Sequence, residues 1–326
     1  MAHDLPGSFV LHLARLVTEL GGSESDLFQG LPVRAEELVD PSMTVPVPTA
    51  VAIAERARAI TGERGIGIYQ GLKTYGPEHG YLGFAAMSAA TLREAIETLC
   101  TYSPVRSTAF AFSLETRGSR AALVVAERAD FGSARDVVML SLLIGLWHTT
   151  VVSLGRERPD TVIELMLPEP DYYHRFRDRK PQVRFGCPIH QLVFDASLLD
   201  LSLPPADPVS FRLARDECER MLRSISERSR LVDQVARLAL RAEGGSRTLK
   251  EVAEVLGVSP RTLRRHLTGH GTSFAAVRDD ERRRRSTILL GSGLSIGAVA
   301  TRLGYATPGN FIRAYRKWTG KTPAAD

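Results

Sequence analysis

Apolar positions recur along the chain with two different periods, and the changes of period mark its parts. Residues 8–20 read as a helix that stops at a turn around Gly21-Gly22-Ser23. Val45-Pro46-Val47-Pro48 predicts an extended linker, because each proline biases its predecessor toward β or polyproline dihedrals. Thr49 is then expected to cap a helix running to about Ile60. Thr91, with Glu94 three residues on, predicts a capping box ahead of an apolar stripe of Leu92, Ala95, Ile96, Leu99 and Cys100. The period then shortens to two. Phe110, Phe112 and Leu114 alternate with Ala111 and Ser113, and a turn at Gly118-Ser119 leads into a second strand over 121–126. A further strand is expected over 161–167, stopping at Pro168, and two short ones over 183–195 around Gly186 and Pro188.

Between the strands, the nineteen residues 137–155 hold no acidic or basic side chain apart from His148, which is long enough to cross a bilayer. Ser141, Thr149, Thr150 and Ser153 dilute the run, and Arg135, Asp136 and Arg156 bracket it without a topological bias. Met139, Leu142, Leu143, Leu146 and Trp147 repeat at helical spacing, so a buried core helix is expected and no membrane partner. Strands grouped as hairpins among helices predict an α+β domain over 1–208 and argue against a doubly wound sheet. After Leu203-Pro204-Pro205 a linker helix is expected within 209–228; Phe211, Cys218 and Ile225 stand seven apart on it, which suits either a dimer seam or packing on its own domain. From Ser229 to Asp326 everything reads as helix with short turns, an all-α C-terminal domain.

Within that region 248–268 is the most informative segment. Leu249, Val252, Ala253 and Leu256 make one apolar helical face that ends at Gly257, where a left-handed residue is needed. Ser259 is placed as an N-cap with Pro260 at the first helical position, and Leu263 and Leu267 bury the new helix. Arg261, Arg264 and Arg265 then lie on its other side, which describes a helix-turn-helix with a basic second helix. The pattern recurs 47 residues later over 295–318: Val299, Ala300, Leu303 and Gly304 match the first helix, and Thr307, Pro308, Phe311 and Tyr315 match the second, with a turn one residue longer. There Gly309, Asn310 and Arg313 take the outward positions. Between the motifs Arg282, Arg283, Arg284 and Arg285 are consecutive and cannot share one face at about 100° per residue. They and Lys317 are expected at phosphates, with one or two arginines paired to Asp279, Asp280 or Glu281.

Charge agrees with this division. Residues 229–326 hold 18 Lys+Arg against 8 Asp+Glu, a net +10, while 1–228 hold 24 against 29. A basic module behind an acidic body points to a polyanion, with double-stranded DNA ahead of an anionic membrane. The length of 326 residues suggests about two domains. Three distant cysteines, Cys100, Cys187 and Cys218, exclude a disulfide framework and suit a reducing cytosol; the N-terminus lacks the features of a signal peptide. A cytoplasmic protein is therefore expected.

These motifs resemble the DNA-binding module of AraC/XylS-family transcriptional regulators. The resemblance covers about 229–326 and is strongest in SIGAVATRLGYATPGNFIRAYRKWTGKTP. Gly297 departs from the family's usual acidic residue, Ser286 from its usual alanine, and the chain ends without the usual Tyr-Arg after Pro323. Segments 81–102 and 183–208 also resemble the arabinose-binding-like N-terminal domain of a subgroup, over roughly 20–208. The resemblance implies a sensor domain that binds a small-molecule effector or mediates dimerisation, and a homodimeric activator working with RNA polymerase. It does not imply arabinose.

Direct reading of bases falls to Arg261, Arg264, Arg265, Gly309, Asn310 and Arg313; Tyr102, Arg106 and His148 are the polar groups expected in an effector pocket. The competing readings are a DNA-architectural protein without strong sequence choice, and an enzyme joined to such a module. No GxSxG, HExxH, GxGxxG or P-loop motif is present, and Gly65-Ile-Gly67-Ile-Tyr-Gln-Gly71 has the wrong spacing for one. Cys187 near His190 could only be a thiol pair by position, and His148 has no ligand-type neighbour at metal spacing. No metal, cofactor or catalytic group is therefore expected.

Overall fold

A computed structural model describes residues 3–40, 43–155, 161–178, 181–241 and 245–323. The chain divides into two compact units, Met1–Leu222 and Arg223–Asp326.

The first unit opens with strand β1 (Asp4–Pro6) and helices α1 (Gly7–Glu19) and α2 (Glu24–Phe28). Strand β2 (Thr44–Pro46) pairs antiparallel with β1, Val45 opposite Leu5. This corrects the expected linker and the expected cap. Helix α3 (Val47–Thr61) begins directly after Pro46, two residues before Thr49, with Pro48 already inside its first turn. The strand pairing holds the backbone extended up to Pro46, and a proline in the first turn gives up no helical hydrogen bond. Helices α4 (Ile66–Leu72), α5 (Gly80–Ser88) and α6 (Leu92–Tyr102) follow. Thr91 caps α6 by accepting from the Glu94 N–H at 3.2 Å, but the Glu94 carboxylate accepts from the Ala90 N–H at 2.7 Å, one residue before the position a capping box needs.

Five strands form the main sheet: β3 (Phe110–Arg117), β4 (Arg120–Glu127), β5 (Val162–Glu164), β6 (Gln182–Arg184) and β7 (His190–Asp195). Their order is β3-β4-β7-β5-β6. Only β3 and β4 make the expected hairpin of neighbours. β7 pairs antiparallel with both β4 and β5, and β5 pairs parallel with β6. Alternate residues Ala121, Leu123 and Val125 on β4, and His190, Leu192 and Phe194 on β7, are buried, so one sheet face closes the core.

Helix α7 (Arg135–Leu154) contains the apolar run except its last residue, Gly155, which caps the helix, and Val137, Met139, Leu140, Leu143, Ile144 and Trp147 are buried in the core. It is the one described helix long and apolar enough to cross a membrane; its burial fits the core reading. The glycines of α4 serve this packing: a Cβ at Gly67 would come within 2.5 Å of the Val137 carbonyl oxygen, and one at Gly71 within 2.7 Å of Ile144. The glycine-rich run is thus a notch for α7.

One charged network lies beside the sheet. Arg135 grips Glu127 through both carboxylate oxygens at 2.7–3.0 Å, and His190, buried, stands 3.7 Å from the same carboxylate. Burial pushes the Glu127 carboxyl up, but the nearby His190 ring and the hydrogen bonds from Arg135 outweigh it and hold it at about 2. A depressed folded pKa adds stability that is complete above about 4.5 and fades as pH falls toward 2. Glu127→Gln is expected to cost about 1–3 kcal/mol at pH 7. Urea melts at pH 7 and pH 3 should show the deficit shrinking at the lower pH.

Helix α8 (Pro208–Ala239) is longer than the expected linker by eleven residues at its C-terminal end, and its range spans the division at Leu222. Phe211 packs against the first core and Cys218 is fully buried, so the seven-residue stripe is largely consumed by internal packing.

The second unit continues with α9 (Leu249–Val255), α10 (Pro260–Gly269), α11 (Phe274–Gly291), α12 (Ile296–Arg302) and α13 (Pro308–Thr319). Two small cores repeat one plan. The first gathers Val235, Val252, Ala253, Leu263, Leu267 and Val277; the second gathers Leu240, Val299, Ala300, Leu303, Phe311 and Tyr315. Helix α11 lends Val277 to the first and packs Leu289 and Leu290 against the second.

Candidate functional site

The two helix pairs of the second unit are built alike. Thr248 caps α9 and forms a full capping box with Glu251; Ser259, Ser295 and Thr307 cap α10, α12 and α13 by accepting N–H bonds at 3.0–3.3 Å. Gly257 and Gly304 have φ of 68° and 76°, the left-handed geometry that turns each first helix into its second. At Gly304 space adds a second reason, since a Cβ would meet the Ser246 nitrogen at 2.9 Å.

Leu263, Leu267, Phe311 and Tyr315 are buried, which rotates the opposite faces of α10 and α13 to solvent. Arg261, Arg264, Arg265, Gly309 and Arg313 are exposed, and Asn310 is half-buried. Arg265 and Arg313 each stand six residues after their N-cap. Arg313 donates to the Asn310 side-chain oxygen at 2.5 Å, so the two outward residues of α13 form one polar group. Among the described residues, no ion pair engages Arg261, Arg264 or Arg265.

The four consecutive arginines have different surroundings. Arg282 is buried and corrects the expectation that it reaches phosphate. Its Nε donates to the Leu303 carbonyl at 2.9 Å and its Nη2 to the Gly304 carbonyl at 3.3 Å, while the guanidinium lies 4.6 Å over the Tyr305 ring. It closes the C-terminal end of α12, where carbonyls lack helical partners. Arg284 and Arg285 both bind Glu281, at 2.8 and 2.7 Å. Burial pushes the Glu281 carboxyl up, but bonds from these two arginines leave it below its usual value. Arg283 is exposed with no ion pair among the described residues, and Lys317 is exposed on α13. Arg316 is also exposed, three residues after Arg313 and so on the same side of α13.

The family departures are accommodated. The Ser286 hydroxyl, fully buried, donates to the Arg283 carbonyl at 2.6 Å. A Cβ at Gly297, the second position of α12, would meet only Pro308 Cγ at 3.9 Å. Gly297→Ala should therefore stabilise the second unit by about 0.5–1 kcal/mol, because glycine loses more backbone entropy on entering a helix. A thermal melt checks this, and a fall in melting temperature would show hidden crowding. Residues 324–326 lie outside the described residues.

In the first unit a cavity of about 220 Å³ lies among α1, α5, α6, α7 and the sheet. Arg106 lines it, as expected. Tyr102 and His148 do not: the Tyr102 hydroxyl donates to the Glu219 carboxylate at 3.1 Å, and His148 Nδ1 bonds the Thr74 carbonyl at 3.0 Å. Both are turned away by partners distant in sequence. The polar residues that do line the cavity include Ser8, His12, Gln70 and His79, spread over seventy residues of chain, so no local pattern announced them. Burial, with Arg106 and His12 nearby, lowers His79 to about 4, so its imidazole is neutral at pH 7.

Burial pushes Cys100 and Cys218 to about 11, keeping them protonated. His190 does not pair with Cys187, since its Nδ1 accepts from the Met166 N–H at 3.3 Å and its Nε2 faces Glu127. Among the described residues no group of three or more His, Cys, Asp or Glu side chains could hold a metal ion.

An α+β unit with a small apolar cavity, followed by two helix-turn-helix motifs with basic outer faces, defines a DNA-binding transcription regulator. Residues 21–203 match the family described as the arabinose-binding domain of AraC transcription regulator, N-terminal, and residues 252–325 match the helix-turn-helix domain family. The chain belongs to the AraC family of transcription regulators. It is 30% identical to the ornithine utilization regulator of Pseudomonas aeruginosa, over 98% of this chain and 95% of that one. It is 27% identical to an uncharacterized HTH-type transcriptional regulator of Mycobacterium tuberculosis, over 99% and 98%. The HTH-type regulator VirS of the same organism is 32% identical over 43% of this chain and 42% of its own.

Proposed function

We propose that this protein is an effector-responsive transcriptional activator that binds a bipartite DNA site through two successive major grooves. One observation carries the reading: α10 and α13 bury equivalent apolar residues and present Arg265 and Arg313 at equivalent outward positions. Helix α11, with 18 residues, is about 27 Å long and joins the two pairs. Such a connector suits recognition helices about 34 Å apart, one duplex turn. Arg261, Arg264, Gly309 and Asn310 complete the base-reading faces, and Arg283 and Lys317 meet phosphate. Residues 1–208 sense the effector and carry the dimer contact, 209–228 link, and 229–326 bind DNA.

The protein works as a cytoplasmic homodimer that contacts RNA polymerase and catalyses no reaction. Val209 and Leu213, 56% and 65% exposed near the start of α8, extend an apolar surface for the dimer contact into the linker helix. Transcription in vitro, from a promoter carrying the selected site, tests the activator. Added protein should raise the transcript; repression at full occupancy would contradict activation. Sedimentation should give a dimer at micromolar concentration, and a monomer there would remove the dimer.

A further inference from the structure

The cavity of the first unit is walled by apolar side chains such as Leu82, Ile96, Leu99, Leu142 and Leu146. Among the described residues no aspartate, glutamate or lysine lines it, and Arg106 is the one arginine that does. That arginine is spent on the protein. Its Nη2 donates to the Ser8 hydroxyl at 3.1 Å and to the Glu78 carbonyl at 3.5 Å. Three more polar groups of the wall are likewise engaged. His12 stands 2.8 Å from the Glu78 carboxylate, Gln70 Nε2 donates to the Phe9 carbonyl at 2.8 Å, and the Ser107 hydroxyl donates to the Asp4 carbonyl at 2.7 Å.

His79 also reaches the cavity. Burial, with Arg106 and His12 nearby, lowers it to about 4, so at pH 7 its imidazole can share a hydrogen bond but carries no charge. An ion entering this wall gives up its hydration and meets no open counter-charge, which is costly. A sugar or a zwitterion would bury more polar groups than such a wall can partner. The volume of about 220 Å³ is several times that of a water molecule, and an apolar void of this kind is poorly hydrated. At the packing density of a protein interior it holds about nine non-hydrogen atoms.

We propose that this cavity takes an uncharged, largely apolar molecule of about nine non-hydrogen atoms, held by contact with the leucine and isoleucine wall and by no ion pair. The inference rests on the effector-responsive reading above and names the chemical class of that effector. A carboxylate or an ammonium on the same chain would be desolvated without compensation, because the charges nearest the wall already hold one another.

Titration calorimetry of the full-length protein at pH 7.5 tests this with four probes of similar size: 1-octanol, octanoate, octylammonium and L-arabinose. 1-Octanol should bind at least tenfold tighter than each of the others, with a negative heat-capacity change. Leu142→Trp, which fills part of the cavity, should weaken 1-octanol at least tenfold, and Leu99→Trp makes the same test from α6 where the first variant fails to fold. The wild-type series decides even where both fail. Octanoate, octylammonium or arabinose binding as tightly as 1-octanol, no binding of any probe, or folded tryptophan variants that bind 1-octanol as before, overturns the inference. DNA affinity is measured on the same samples. If it is intact while 1-octanol fails, the effector class is wrong and the regulator stands; if DNA binding is itself absent, the regulator reading fails.

Discussion

Arg282→Ala is expected to destabilise the second unit by about 2–4 kcal/mol and to abolish binding to every DNA sequence near 37 °C. The cause is internal. Arg282 supplies bonds to the Leu303 and Gly304 carbonyls and covers the Tyr305 ring. Tyr305 in turn packs on Phe311 and Trp318, beside a core with only six buried apolar residues. Losing the guanidinium leaves buried carbonyls open at the point where α12 turns toward α13. Lysine should not rescue, because one ammonium cannot reproduce a fork that bonds two carbonyls while stacking on a ring. Arg283→Ala, one residue on and exposed, should change stability by less than about 0.5 kcal/mol. It should weaken all sequences alike and lower the slope of affinity against salt by about one. Denaturant melts and binding across salt concentrations separate the two. An Arg282→Ala protein of unchanged stability and reduced salt slope would place this arginine at a phosphate after all.

Arg265→Ala and Arg313→Ala should act on sequence choice. An arginine can bond N7 and O6 of a guanine in a fork, and each such pair discriminates by about 1–3 kcal/mol. Each replacement should relax preference at one position within one half of the site and leave the other half unchanged. The two arginines differ in preparation: Arg313 is held by the Asn310 side chain, while no ion pair engages Arg265 among the described residues. Asn310→Ala should therefore reproduce part of the Arg313→Ala phenotype, whereas no equivalent neighbour is expected to do so for Arg265. A uniform loss of affinity across a randomised site, with base preference intact, would show that these arginines grip the backbone.

The parts of the fold legible in the sequence are those fixed by neighbours. Caps at Ser259 and Thr307, left-handed glycines at 257 and 304, and the burial of Leu263, Leu267, Phe311 and Tyr315 are local matters. The start of α3 differs from the expected one because pairing between Val45 and Leu5, forty residues apart, sets it. The sheet order was hidden for the same reason: β7 inserts between β4 and β5, and β5 and β6 run parallel. Helical geometry alone shows that four consecutive arginines must diverge. Which one turns inward depends on the carbonyls of Leu303 and Gly304, on a turn the sequence places 21 and 22 residues away. Arg106 lines the cavity, and Gln70, His12 and His79 join it from helices and turns that only the tertiary fold brings together.

On the proposed reading, two tandem motifs bind two grooves on one face of the duplex. Selection of bound duplexes from a fully randomised pool by the full-length protein, at fixed salt, tests it most directly. Selected sequences should hold two preferred half-sites whose centres lie about 10–10.5 base pairs apart, each containing a guanine lost from the preference on replacing one of the two arginines. A single short preferred element, or a pool that stays random while binding is tight, would contradict it.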